Sequence, residues 1–301
     1  MFQTSLIKFS FSLVILIQSI DTNAEGAKIK RFARALQPGE IIRLTVESNK
    51  TLLSLEARAF GKSFAGYFDP SLEVWRVFLG VDLDVKPATH EVVLLGTWKE
   101  GGDFFKSYRL VIQEKVFPTR HLTVDPKYVN PPSETLERIR KESKITKKIF
   151  SMSSDRKLWT GPFVAPVPGQ PNSSFGKRSI LNGKPRSPHS GTDFSGSRGT
   201  SVKTPNTGKV VLVRDLYYSG NTIIVDHGLG LYSYFAHLSK TFVSEGQKLK
   251  RGEILGEIGA TGRVTGPHLH WAVRLNQARV DPLSLIVVSE SIDSSFSILS
   301  E

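Results

Sequence analysis

Five of the chain's seven histidines, His189, His227, His237, His268 and His270, fall in one stretch of sequence. That stretch opens on His189-Ser190-Gly191-Thr192-Asp193 and closes on Gly266-Pro267-His268-Leu269-His270. The chain contains no cysteine, so a metal bound here is held by imidazole nitrogen and carboxylate oxygen. Such a donor set suits zinc, which in catalytic sites takes three protein ligands and leaves a fourth position open. His268 and His270 stand two apart in an apolar, β-branched and aromatic run, His-Leu-His-Trp-Ala-Val-Arg-Leu. In a strand both rings emerge on one side and Leu269 on the other. His189 and Asp193 are four apart, the spacing of one helix face. Ser187-Pro188 before them and Gly196 and Gly199 after them instead predict a loop running into a short strand.

These motifs sit in a wider pattern. Ser174-Phe175-Gly176, His189-Ser190-Gly191-Thr192-Asp193-Phe194, Gly199-Thr200 and Gly208-Lys209-Val210-Val211 are followed by Gly220-Asn221-Thr222 and Asp226-His227-Gly228. Then come Tyr234-Phe235-Ala236-His237-Leu238, Gly246-Gln247, Gly252, Gly262 and Gly266-Pro267-His268-Leu269-His270-Trp271. Over residues 172–285 the chain resembles the lysostaphin/LytM-type zinc metallopeptidases, which cut the peptide bridges of bacterial cell walls. The resemblance implies His189, Asp193 and His270 as the zinc ligands, and His237 and His268 as histidines beside the zinc-bound water. Zinc would bring the pKa of that water to about 7 and polarise the scissile carbonyl. A neutral imidazole can take the water's proton, and a protonated one can stabilise the oxyanion or protonate the leaving amine. Which of His237 and His268 does which stays open in the sequence. His227 is read as structural, in a turn-like Asp226-His227-Gly228-Leu229-Gly230.

The elements that must position these residues read as all-β. Segments 208–214, 221–226, 231–236, 254–258 and 269–275 are short, β-branched and bounded by glycine. The run from Val243 to Glu253 also has the pattern of lipoyl- and biotinyl-carrier hairpins, but lacks the Met-Lys pair such carriers modify. The expectation is a metallopeptidase domain over 161–287, built of antiparallel, lipoyl-like duplicated hairpins, with a tail over 288–301.

Upstream, residues 25–116 carry alternating segments at 41–47, 53–57, 75–79, 91–95 and 108–112, separated by turns such as Pro38-Gly39 and Gly101-Gly102. They predict an immunoglobulin-like β-sandwich, with Asp84 and His90 in its turns. Residues 117–160 predict a connection containing a helix that starts after Pro131-Pro132, with Ser133 as N-cap and an apolar stripe of Leu136, Ile139, Thr146 and Phe150. Residues 1–24 predict a secretory leader: Lys8, an apolar run from Phe9 to Ile20, and Thr22-Asn23-Ala24. The run is shorter than the 20 or so residues that cross a bilayer, so no stable membrane insertion is expected once the leader is removed; retention as an anchor is the alternative.

The net charge of +12 favours a polyanionic partner. No nucleic-acid motif accompanies it, and charge alone does not choose among nucleic acid, an anionic membrane surface and a cell wall. The resemblance to the lysostaphin/LytM-type peptidases implies peptidoglycan as the partner and the periplasm or cell wall as the location. Taken together, the motifs and the resemblance predict an exported zinc endopeptidase, with the N-terminal domain positioning the enzyme on its wall, shading the groove, or serving as a plain spacer. The alternative is a wall-binding activator of other hydrolases, as in relatives that have lost metal ligands; this chain has lost none.

Overall fold

A computed structural model describes residues 16–20, 26–123, 129 and 131–290. Most of the expected leader, and the tail from 291 onward, lie outside the described residues. Strand β1 (Leu16–Ile20), within the expected leader, pairs with β2 (Ala27–Ala33). After it come β3 (Ile41–Ser48), β4 (Leu52–Ala59), β5 (Lys62–Ala65), β6 (Tyr67–Asp69), β7 (Val74–Gly80), β8 (Ala88–Trp98) and β9 (Asp103–Ile112). They form two sheets, ordered β1-β2-β3-β7-β6 and β5-β4-β8-β9. Setting the edge strand β1 aside, this is the A-B-E-D and C′-C-F-G arrangement of an immunoglobulin-like sandwich. Asp84 lies in a turn, whereas His90 belongs to β8, where its Nε2 reaches the Lys86 carbonyl at 2.8 Å.

The next segment carries β10 (Thr119–Leu122) and the helix α1 (Ser133–Ser151). Ser133 is the first helical residue rather than the cap: the cap position is Pro132, which makes no side-chain cap. Proline before the helix has no N–H to spare, and its carbonyl takes the Thr135 N–H instead. The packed stripe is also shifted from the expected one. Ile145, Ile149 and Phe150 lie against Leu212, Leu216, Ile224 and Tyr232, while Leu136 is exposed.

The remaining strands are β11 (Pro171–Ser173), β12 (Arg178–Leu181), β13 (Lys184–Pro185), β14 (Thr192–Ser195), β15 (Ser201–Lys203), β16 (Gly208–Leu216), β17 (Gly220–Gly228), β18 (Leu231–Thr241), β19 (Lys248–Leu249), β20 (Ile254–Ile258), β21 (His268–Leu275) and β22 (Ala278–Val280). Helix α2 (Pro282–Ser289) closes the domain, with Asp281 accepting from the Leu283 N–H and proline in its first turn. Ten strands form one sheet, with β14-β21-β18-β17-β16 at its centre. β10 pairs parallel with β12, so the connection between the domains adds a strand beside the segment leading to His189.

The sandwich is docked against the second domain. β3 does not alternate, because its inner face meets the sandwich core and its outer face meets α2. The buried Arg43 donates to the carbonyls of Val288 and Glu290, at 3.2 and 2.9 Å, where the helix leaves its last acceptors unpaired. Gly80 lets the sandwich approach Leu275, Ala278 and Val280: a Cβ there would meet them at 3.1–3.3 Å. Arg34 bonds Glu40 at 2.7 Å and also pairs with Asp281, and Asp82 accepts from Arg279. The two hydrophobic interiors merge into one cluster, with Trp159 stacked on Phe78.

Candidate active site

Strand β21 lies between β14 and β18, and its register places Asp193 opposite His270 and Ser195 opposite His268. Strand alternation then puts Asp193, His268 and His270 on one face, with Leu269 fully buried on the other. His189 arrives from the loop before β14. Its backbone is fixed by two hydrogen bonds: the Gly176 N–H to the His189 carbonyl, and the His189 N–H to the Lys177 carbonyl.

Three donor atoms converge. His189 Nε2 stands 3.0 Å from Asp193 Oδ1 and 3.0 Å from His270 Nδ1, and His270 Nδ1 stands 2.9 Å from Asp193 Oδ1. His189 Nδ1 lies 3.1 Å from the Ser174 carbonyl, to which it can only donate. That leaves a bare lone pair on Nε2, aimed at a carboxylate that is itself acceptor-only. Two acceptors at this separation repel unless a cation lies between them, so the site fits a metal ion. The carbonyl fixes the ring in the way expected of a metal-ligating histidine. Burial raises the Asp193 pKa, but the two imidazoles packed against the carboxyl outweigh it and hold it well below the usual carboxylate range. The site also needs Gly191: a Cβ there would lie 2.7 Å from His270 Cε1, 2.8 Å from its Nε2 and 2.6 Å from the Trp271 carbonyl oxygen.

His237 reaches the same face by breaking the strand's alternation. Ala236 pairs with His270, so the next residue of a regular strand would turn toward the core. His237 instead has φ +65°, a conformation that costs a non-glycine residue about 1–3 kcal/mol. Its ring lies 4.9 Å from that of His268 and 6.0 Å from that of His270. Two hydrogen bonds hold the strained residue: its N–H donates to the Ser219 carbonyl at 2.8 Å, and its Nδ1 to the Thr261 carbonyl at 2.8 Å. His268 Nδ1 likewise donates to the Gly266 carbonyl at 2.9 Å, and its Nε2 lies 3.9 Å from Asp193 Oδ1. In both histidines Nε2 carries the free lone pair. Burial, together with the neighbouring His270 and His268, pushes the His237 pKa down to about 3, so its ring is neutral near pH 7.

His227 lies apart from this cluster, at the end of β17 rather than in a turn, and is fully buried. Its Nδ1 donates to the Thr207 carbonyl at 2.8 Å, so its Nε2 accepts from the Ser233 hydroxyl at 2.9 Å. That hydroxyl oxygen in turn accepts from Trp271 Nε1 at 3.3 Å, tying the chain of bonds to the residue after His270. Sequence reasoning gave no role to Gly191, Ser219 or Thr261. Gly191 stood inside a quoted motif, but the backbone acceptors at Ser219 and Thr261 leave no trace in residue type.

Comparison with known proteins gives a consistent picture. Residues 187–282 match peptidase family M23. A solved structure of a Pseudomonas aeruginosa protein assigned to peptidase M23 is 32% identical, with a TM-score of 0.65, and the match covers 83% of this chain and 94% of that one. The peptidoglycan DD-endopeptidase ShyA of Vibrio cholerae is 49% identical over 84 residues, which is 28% of this chain and 20% of ShyA. The DD-endopeptidase ShyB of the same organism is 39% identical over 108 residues, 36% of this chain and 25% of ShyB. The matches thus span a fifth to a quarter of these curated relatives.

Proposed function

We propose that this chain, which belongs to peptidase family M23, is a zinc-dependent endopeptidase that hydrolyses peptide cross-links of bacterial peptidoglycan. The observation that carries the reading is the convergence of His189 Nε2, Asp193 Oδ1 and His270 Nδ1, three atoms able to ligate a metal, all within 3.0 Å of one another. An imidazole and carboxylate donor set of this kind suits zinc, which when bound supplies a Lewis acid that acidifies water and polarises a peptide carbonyl. His189, Asp193 and His270 hold the metal. His237 and His268 present Nε2 lone pairs on the same face, where each takes a hydrogen bond from the attacking water or gives one, once protonated, to the developing oxyanion or the leaving amine.

Peptidoglycan is the proposed substrate on two grounds. ShyA and ShyB, to which part of this chain is similar, are named for DD-endopeptidase action on it. The net charge of +12 also suits an anionic wall. That substrate places the chain in the periplasm or at the wall, in keeping with the leader-like N-terminus; no described helix is long and apolar enough to cross a membrane. A complete set of ligands and helper histidines argues against a metal-free activator. His189→Ala and His270→Ala should each abolish digestion of purified sacculi and lower zinc content. Unchanged digestion with unchanged zinc would overturn the reading.

A further inference from the structure

Helix α1 lies outside the segment that matches the family, and none of its residues is fully buried. Such a helix reads as a spacer. Its contacts nevertheless lead, by three short routes, to residues of the proposed active site.

The first route starts at Glu142, which accepts the Tyr217 N–H at 2.9 Å through Oε2 and Arg138 Nε at 2.6 Å through Oε1. Arg138 also donates to the Asp215 carbonyl at 3.1 Å and to its carboxylate at 3.0 Å. These bonds clamp the tip of the β16–β17 hairpin, Tyr217-Tyr218-Ser219. The Ser219 carbonyl is the acceptor that holds the His237 N–H in its left-handed conformation, and the Tyr218 carbonyl accepts the Arg263 N–H in the loop that leads to His268. The second route starts at Phe150, whose ring packs against Tyr232 and Tyr234, with centroids 5.6 and 6.4 Å away. Tyr234 touches His270 edge-on at 6.4 Å and donates to the Ser219 hydroxyl at 2.6 Å. The third route also passes through Phe150. The Arg274 guanidinium lies 5.4 Å from that ring and donates to the Ser190 carbonyl at 3.2 Å and hydroxyl at 3.1 Å, beside His189.

We propose that α1 is a positioning element of the peptidase site, in which Glu142 sets the hairpin tip that holds His237 and Phe150 supports the residues behind His270 and His189. This rests on the function proposed above. The hairpin tip is held from one side by α1 and in turn holds a strained residue, so freeing it lets His237 relax toward a regular strand conformation. Displacements of about 1 Å in such a constellation can cost a hundredfold in rate.

The test uses the full chain with Glu142→Ala, Glu142→Gln, Phe150→Leu and, as control, Lys141→Ala; Lys141 sits on the exposed face of the same helix. The substrate is a cross-linked muropeptide dimer prepared from sacculi. Glu142→Ala should lower kcat/KM about tenfold at unchanged zinc content. Glu142→Gln, whose amide oxygen still accepts from the Tyr217 N–H, should recover most of the loss, and Lys141→Ala should match the wild type. Hydrogen exchange on zinc-free protein gives a readout independent of catalysis: segments 215–220 and 236–238 should exchange faster in Glu142→Ala but not in Lys141→Ala. Equal kcat/KM in wild type and Glu142→Ala, or unchanged exchange, overturns the proposal. A wild type that leaves the dimer uncut while exchange still accelerates overturns the peptidase reading and leaves the coupling standing. If Glu142→Ala fails to fold, Phe150→Leu carries the same decision: faster exchange at 215–220 and 236–238 supports the coupling, and wild-type exchange there overturns it.

Discussion

His227 offers a quantitative check on the fold around the site. It is fully buried, and burial pushes its pKa down to about 4, with the hydrogen bond to Thr207 only partly opposing the shift. In the unfolded chain its pKa is near 6.5, so below that value the unfolded state binds a proton that the folded state refuses. Stability therefore rises with pH, and the loss occurs on acidification from about pH 6.5 down toward 4. Well above pH 6.5 both states are neutral and the group contributes no pH dependence. Integrating the two titrations from about pH 7 to about pH 5 gives a loss of about 2 kcal/mol from this one residue. His227→Gln removes the titration while keeping a side chain that can bond Thr207 or Ser233. The measurement is urea unfolding of zinc-free wild type and variant at both pH values, so that the metal ligands' own protonation cancels in the difference. The variant should be less stable at pH 7, yet lose about 2 kcal/mol less than the wild type on going to pH 5. Two parallel pH profiles would refute the burial argument, because a histidine that charges freely in the fold contributes no such slope.

Gly191→Ala should cut zinc affinity by at least about tenfold, since the added Cβ would lie 2.7 Å from the His270 ring and 2.6 Å from the Trp271 carbonyl oxygen; zinc competition against a chromophoric chelator measures it. His237→Ala and His268→Ala should keep zinc but lose roughly 10²–10⁴-fold in kcat/KM, separating helpers from ligands. Chelation should abolish activity and lower thermal stability, and zinc at about 100 times its Kd should restore about 2.7 kcal/mol. Arg34→Ala strips the buried Glu40 and Asp281 of a shared cation and should cost roughly 3–5 kcal/mol in chemical denaturation; Lys115, 3.3 Å from Glu40, softens the loss.

What could be read from the sequence was whatever obeys a period. His268 and His270 announce a shared strand face because alternation is local, and Asp193 joins them once its strand pairs in register. The strands at 91–95 and 208–214 announced themselves by the same pattern, whereas β2 did not, since Ala-Lys-Ile-Lys-Arg-Phe-Ala hides a buried Arg31 among exposed-type residues. His237 shows the limit. Its position follows from a single positive φ that reverses the facing of one residue, and no residue type at 237 or beside it encodes that reversal.

The reversal is maintained by carbonyls at Ser219 and Thr261, and one of these sits on a hairpin tip gripped by Glu142, 75 positions upstream of Tyr217. Backbone acceptors carry no sequence signature, so long-range positioning of this kind becomes visible only in three dimensions. A left-handed histidine also costs energy that the surroundings must supply. Its persistence beside two other imidazoles and a carboxylate makes sense where the position of one Nε2 matters more than local backbone comfort. The same reasoning explains why glycine at 191 cannot be replaced cheaply: the site is packed from the backbone outward, and the His270 ring and the Trp271 carbonyl already occupy the space a Cβ there would need.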